Sequence, residues 1–185
     1  MNSIFGRSTS TVAQPQVSQN TVAQSGNNLV NYQGSNFINS TNKVLTSFTS
    51  DLSRINDYAG KNNVQLYVES SGVRIKGAPI PGDVYHKPGE ITQNSPHYVG
   101  MAIDMKVQYK NSNNENSVCG NPCLNAGYGS LPSPVQGFIG DVRNDPGGLR
   151  WGGDFKRSDG VHIDNGIYQR DPVEYLRLFN ILQNK

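Results

Sequence analysis

Ser95-Pro96-His97-Tyr98-Val99-Gly100-Met101-Ala102-Ile103-Asp104 is the stretch on which the reading of this chain turns. Residues Tyr98 to Tyr109 have the apolar and β-branched content of a strand, so His97 stands beside a strand and Asp104 within it. Further along come Trp151-Gly152-Gly153-Asp154-Phe155 and, shortly after, Asp159-Gly160-Val161-His162. Catalytic zinc takes three protein ligands from His, Asp or Glu and keeps a fourth position for water. His97, Asp104 and His162 make a sufficient set, which leaves Asp159 for proton transfer. Taken singly, each of these residues reads as a hydrogen-bonded core or surface group, or as a turn cap. Their combination is what points to a metal centre.

Working outward, 185 residues suffice for one compact domain with an extension. Residues 1–36 are rich in Ser, Thr, Gln and Asn and lack spaced large apolar side chains, so they read as an extended low-complexity arm. TVAQ occurs in it twice, at Thr11–Gln14 and Thr21–Gln24, as a short docking repeat or as chance in a biased composition. From Phe37, the spacing of Ile38, Val44, Leu45, Phe48, Leu52 and Ile55 predicts an amphipathic helix ending near Gly60. Val64–Glu69 reads as a strand, continued by Val73–Ile75 after a turn at Ser71-Gly72, and Gly160–Asp164 as another. Asp171-Pro172-Val173-Glu174 supplies an N-cap, an N1 proline and a capping-box glutamate for a last helix. Helix, strands, then helix predicts an α+β domain over 37–185, a small antiparallel sheet flanked by helices.

Several short motifs in this order, S-x-H-x-x-G-x-A-x-D, then W-G-G-D-F and D-x-x-H, resemble the M15 family of zinc peptidases. That family includes D-alanyl-D-alanine carboxypeptidases, vancomycin-resistance enzymes and phage endolysins that cut L-alanyl-D-glutamate bonds. The similarity runs from about Val64 to the C-terminus. It implies a Hedgehog/DD-peptidase-like zinc peptidase fold, one Zn²⁺ on His97, Asp104 and His162, and Asp159 as general base. Asp159 stands where the family often has Glu. Glu69-Ser70-Ser71-Gly72-Val73-Arg74 resembles the family's S-G-Y-R segment, with Val73 in place of Tyr, and implies that Arg74 binds a substrate carboxylate or steadies an oxyanion.

Ser95 is placed either to hydrogen-bond substrate or to shape a turn, and Trp151 either to wall a cleft or to fill the core. Asp154 is expected to hold the loop or the outer nitrogen of a ligand histidine. His86 matches no ligand position and reads as a loop residue. Cys119 and Cys123 are either a small disulfide loop or two thiols, inside a polar insertion from Lys110 to Pro134 that could form a lid.

A net charge of +2 without a basic block excludes a nucleic-acid binder, and no stretch is apolar enough to span a membrane. The N-terminus does not read as a signal peptide. The expected activity is hydrolysis of a peptide bond in peptidoglycan stem peptides by a phage-encoded enzyme, virion-associated or released to the cell wall. Residues 1–36 would then meet phage structural proteins. The alternative is a catalytically silent module in a phage tail or baseplate.

Overall fold

A computed structural model describes residues 28–75 and 95–183. Both TVAQ segments and His86 lie outside the described residues. Strands β1 (Leu29–Val30) and β2 (Val44–Leu45) precede helix α1 (Thr49–Lys61) and strand β3 (Gln65–Ser71). Then follow β4 (Ala102–Lys110), β5 (Asn116–Cys119), α2 (Asn121–Leu124), α3 (Ser133–Arg143), β6 (Arg150–Trp151), β7 (His162–Asp164), α4 (Ile167–Arg170) and α5 (Pro172–Gln183). The architecture is α+β, with antiparallel strands throughout the two sheets.

Strand β4 organises the larger sheet. Its one edge carries β3; its other edge carries β7 along Ala102–Asp104 and β5 along Val107–Lys110, and β6 closes the row beyond β7. Alternation along β4 sends Ile103, Met105 and Val107 into the core, each with no exposed surface, while Asp104, Lys106 and Gln108 face the other way. Leu52 and Ile55 of α1 and Phe138, Ile139 and Val142 of α3 join the same apolar cluster. Each such side chain contributes about 1.5–3 kcal/mol by leaving water. That burial determines the register, because a slip of one residue would turn Asp104 into the core and Ile103 out of it.

Departures from the expected elements have local causes. The helix expected from Phe37 begins only at Thr49. Phe37 is bridged to Leu66, Val44 and Leu45 pair with β1, and Lys43 between them takes a φ of 50° that no helix accommodates. β1 lies inside the stretch assigned to the arm, so packed structure reaches back at least to Leu29. Strand β3 stops at Ser71, and 73–75 do not continue it. Residues 96–99 are one 3-10 turn before β4, not its beginning. At the last helix the Asp171 cap forms, accepting from the Glu174 N–H at 2.9 Å. The Glu174 carboxylate turns to Arg177 instead of closing the box.

The insertion from Lys110 to Pro134 is packed into the domain. β5 extends the sheet, Leu124 and Leu131 are buried, and Cys119 and Cys123 are joined by a disulfide. Among the described residues no helix is long and apolar enough to cross a membrane.

Helices α1 and α3 are also joined through a buried ion. The Asp145 carboxylate, its side chain 0% exposed, accepts from Arg54 Nε at 2.8 Å, the Tyr58 hydroxyl at 2.8 Å and the Leu149 N–H at 3.0 Å. Burial alone would raise the Asp145 pKa, but these donors outweigh it and hold it below the ordinary 3.8. A depressed carboxylate contributes stability that is complete above its unfolded value and fades as pH falls through the folded one. Asp145→Asn is therefore expected to lower Tm at pH 7, by about 2 kcal/mol of stability. Its deficit relative to wild type should shrink below pH 3.8. A deficit constant from pH 7 to pH 2 would refute the assignment.

Candidate metal centre

His97 rides on the 3-10 turn Pro96–Val99. Gly100, at φ 68°, closes that turn, its N–H donating to the His97 carbonyl at 3.1 Å, and delivers the chain into β4. Helix α5 holds the turn from outside: the Tyr175 hydroxyl donates to the Ser95 carbonyl at 3.1 Å and Gln183 Nε2 to the Tyr98 carbonyl at 2.9 Å. Asp104 lies three residues into β4, directly across from His162 on β7. Both face away from the α1 and α3 side. Sheet register thus sets two of the three groups side by side, and the turn brings the third over them.

The ligand-type atoms form a nearly equilateral triangle. His97 Nε2 is 3.0 Å from Asp104 Oδ1 and 3.2 Å from His162 Nδ1, which is itself 3.2 Å from Asp104 Oδ1. A tetrahedral ion with bonds of about 2.0–2.1 Å separates its ligand atoms by about 3.3 Å. The triangle fits such an ion with only a slight opening, and it is the one such group of three among the described residues.

The surroundings treat the two imidazoles differently. His97 is 1% exposed, and burial lowers its pKa to about 4, beyond what Asp104 restores. Its Nδ1 is buried without a hydrogen-bond partner among the described residues. Burial would also lower His162, but hydrogen bonds to Asp104 and Asp164 outweigh it and raise its pKa to about 9. Asp104 resists burial in the same way: the two histidines and Arg74 hold it well below the usual carboxylate range. A divalent cation on these three atoms would take the place of the proton at His162 Nδ1, since a ligating imidazole is neutral.

Arg74 reaches this set from the far side. Its guanidinium donates to Asp104 Oδ2 and, at 3.0 Å, to Ser70 Oγ, leaving Asp104 Oδ1 directed at the two histidines. Behind His162, Nε2 meets Asp164 Oδ2 at 2.8 Å. Arg150 donates to both oxygens of that carboxylate, Nε to Oδ1 at 2.8 Å and Nη2 to Oδ2 at 2.6 Å, and the Gly166 N–H adds a third bond at 2.6 Å. Burial would raise the Asp164 pKa, but His162 and Arg150 outweigh it and pull it to about 2. A histidine clamped at one nitrogen by a buried carboxylate presents the other in a single orientation.

Asp164, not Asp154, holds that outer nitrogen; Asp154 is exposed and paired with Arg143 at 2.8 Å. The signal was present in the pattern. On a strand, residues two apart share a face, and Asp164 follows His162 by two.

Trp151 belongs to the core, 1% exposed, and its indole N–H donates to the Gly160 carbonyl at 2.7 Å. It secures the turn before His162, and it also lines an open pocket together with Arg143, Leu149, Arg150, Asp154 and Phe155. Gly152 lies so near that turn that a Cβ there would stand 2.2 Å from the Asp159 carbonyl oxygen. Asp159 is exposed, its N–H bonded to Gly152 O at 2.9 Å and its carbonyl to the His162 N–H at 2.9 Å. Ser95 meets the site through the backbone, caps no helix with its side chain, and is partly exposed.

An M15 peptidase family model, described as D-alanyl-D-alanine carboxypeptidase, matches residues 89–165. That match supports an M15-type peptidase. It spans His97, Asp104, Asp159 and His162 and stops short of Arg74. No curated protein matches the chain.

Proposed function

We propose that this protein is a zinc-dependent peptidase of the Hedgehog/DD-peptidase-like fold, and that it hydrolyses a peptide bond in peptidoglycan stem peptides, either L-Ala-D-Glu or a D-amino-acid linkage. The observation that carries the proposal is the triangle of His97 Nε2, Asp104 Oδ1 and His162 Nδ1, with edges of 3.0–3.2 Å; an exposed acid stands three residues before its last member in the sequence.

His97, Asp104 and His162 would hold the ion. Zinc, when bound, supplies Lewis acidity: it acidifies water and polarises a carbonyl. Asp159 takes a proton from the attacking water and hands it to the departing amine, so that the amine leaves neutral. Arg74, by engaging Asp104 Oδ2, keeps the ligand carboxylate directed inward and balances its charge. Asp164 and Arg150 do the same for His162. Ser95 is a candidate hydrogen-bond partner for substrate at the start of the His97 turn.

Mass spectrometry of muropeptides after digestion tests the reading, since the new termini identify the bond. Intact stem peptides after incubation with the zinc-loaded protein would end it.

A phage setting is part of the proposal, with the polar N-terminal segment joining the enzyme to structural proteins of a particle. Because Leu29 and Val30 pair with β2, the segment to remove is 1–27 and not 1–36. Its deletion is expected to abolish particle incorporation and spare wall hydrolysis. Undiminished incorporation would exclude that role.

A further inference from the structure

Asn125 grips the chain on both sides of Asp159. Its side-chain oxygen accepts from Ser158 Oγ at 2.8 Å and from the Gly160 N–H at 2.7 Å. Its amide nitrogen donates to Asn121 Oδ1, so both ends of the amide are in use and the oxygen has one orientation. Asn125 is itself held in place: its N–H bonds to the Asn121 carbonyl at 3.0 Å, at the end of α2. Helix α2 has only four residues and could not stand alone.

Two features keep α2 where it is. Leu124 is fully buried, and the Cys119–Cys123 disulfide ties α2 to β5. Cys119 in turn lies across from Val107 on β4, the strand that carries Asp104. The fit against the turn is tight, since a Cβ at Gly160 would stand 2.3 Å from the Leu124 carbonyl oxygen. A covalent and hydrogen-bonded path therefore runs from the strand bearing one candidate ligand to the turn bearing Asp159, independent of the pairing of β4 with β7.

We propose that Asn125, supported by the Cys119–Cys123 loop, is a positioning residue that sets Asp159 for proton transfer. The inference rests on the reading of Asp159 as general base. Reaction rates are sensitive to such placement: a shift of about 1 Å in a reacting group can cost on the order of 100-fold.

The test uses the full-length, zinc-loaded protein with Asn125→Ala, Asn125→Asp, and the double variant Cys119→Ala/Cys123→Ala. Three quantities are measured: kcat and KM on a purified muropeptide, bound zinc, and hydrogen exchange at the Gly160 amide by NMR. Asn125→Ala is expected to speed Gly160 exchange and lower kcat by about 10- to 100-fold, with KM and zinc content unchanged. Asn125→Asp retains the acceptor oxygen but loses the donation to Asn121 Oδ1, and should recover part of both. The double cysteine variant should move kcat and Gly160 exchange in the same direction, by less.

Unchanged kcat in Asn125→Ala, alongside an active wild type, overturns the positioning role. So does a loss that comes with lost zinc or raised KM, or that Asn125→Asp does not relieve. A double cysteine variant indistinguishable from wild type overturns the support assigned to the loop. If wild type itself cuts no stem peptide, the peptidase reading fails; Gly160 exchange still decides the clamp, and an unaltered rate in Asn125→Ala refutes it.

Discussion

Alanine at His162 is expected to leave the protein without bound zinc and to reduce wall hydrolysis by on the order of 1,000-fold or more. The ion would lose one of three protein ligands, and the Lewis-acid contribution it makes to a hydrolytic transition state is several kcal/mol. The fold should survive the change. With His162 gone, Asp164 still has Arg150 and the Gly166 N–H, and Asp104 still has Arg74 and His97, so neither acid is stranded. Asp164→Asn is the graded version: it keeps the shape but weakens the grip on Nε2, and should cost about 10- to 100-fold in zinc affinity. Metal analysis after dialysis, and competition with a chelator, measure both. Stoichiometric zinc in His162→Ala would mean that the ion, if any, lies elsewhere.

Asp159→Ala separates chemistry from metal binding. It removes the proposed proton carrier while leaving all three ligand side chains, and the two backbone hydrogen bonds of residue 159 survive because they involve only its N–H and carbonyl. Residue 159 is exposed, so the change in stability should be small. Zinc content and Tm are then expected to match wild type while kcat falls by about 100- to 10,000-fold. Turbidity clearance of purified walls, normalised to bound zinc, reads the effect. Equal clearance by the two proteins would remove Asp159 from the mechanism. It would also remove the reason for the Asn125 clamp.

The candidate site was more legible than the fold around it. His97, Asp104 and His162 stand out because metal chemistry needs a narrow set of side chains, and such chemistry leaves its mark on residue type. Elements were less legible where hydrophobic spacing fits more than one structure. Val44, Leu45, Phe48, Leu52 and Ile55 are all buried, yet the first two lie in a strand, because a buried position records only that a side chain points inward. The insertion read as loop from its polar residues, but β5 is stabilised by backbone pairing with β4, to which side-chain polarity contributes little. α3 escaped notice behind the glycines and prolines of its flanks, although Val135, Phe138, Ile139 and Val142 carry the helical spacing.

By itself the sequence determined which groups are available for chemistry, in what order, and that the chain would be α+β. The tertiary structure decided which of them meet: that Asp104 faces His162 across two strands, that Arg74 engages Asp104, that Asp164 in place of Asp154 backs His162, and that a disulfide loop reaches the turn of Asp159. The reason is physical. Residue identity sets the chemistry a side chain can perform, but contact between residues 58 positions apart depends on strand register, and register is set by the burial of the whole apolar face at once.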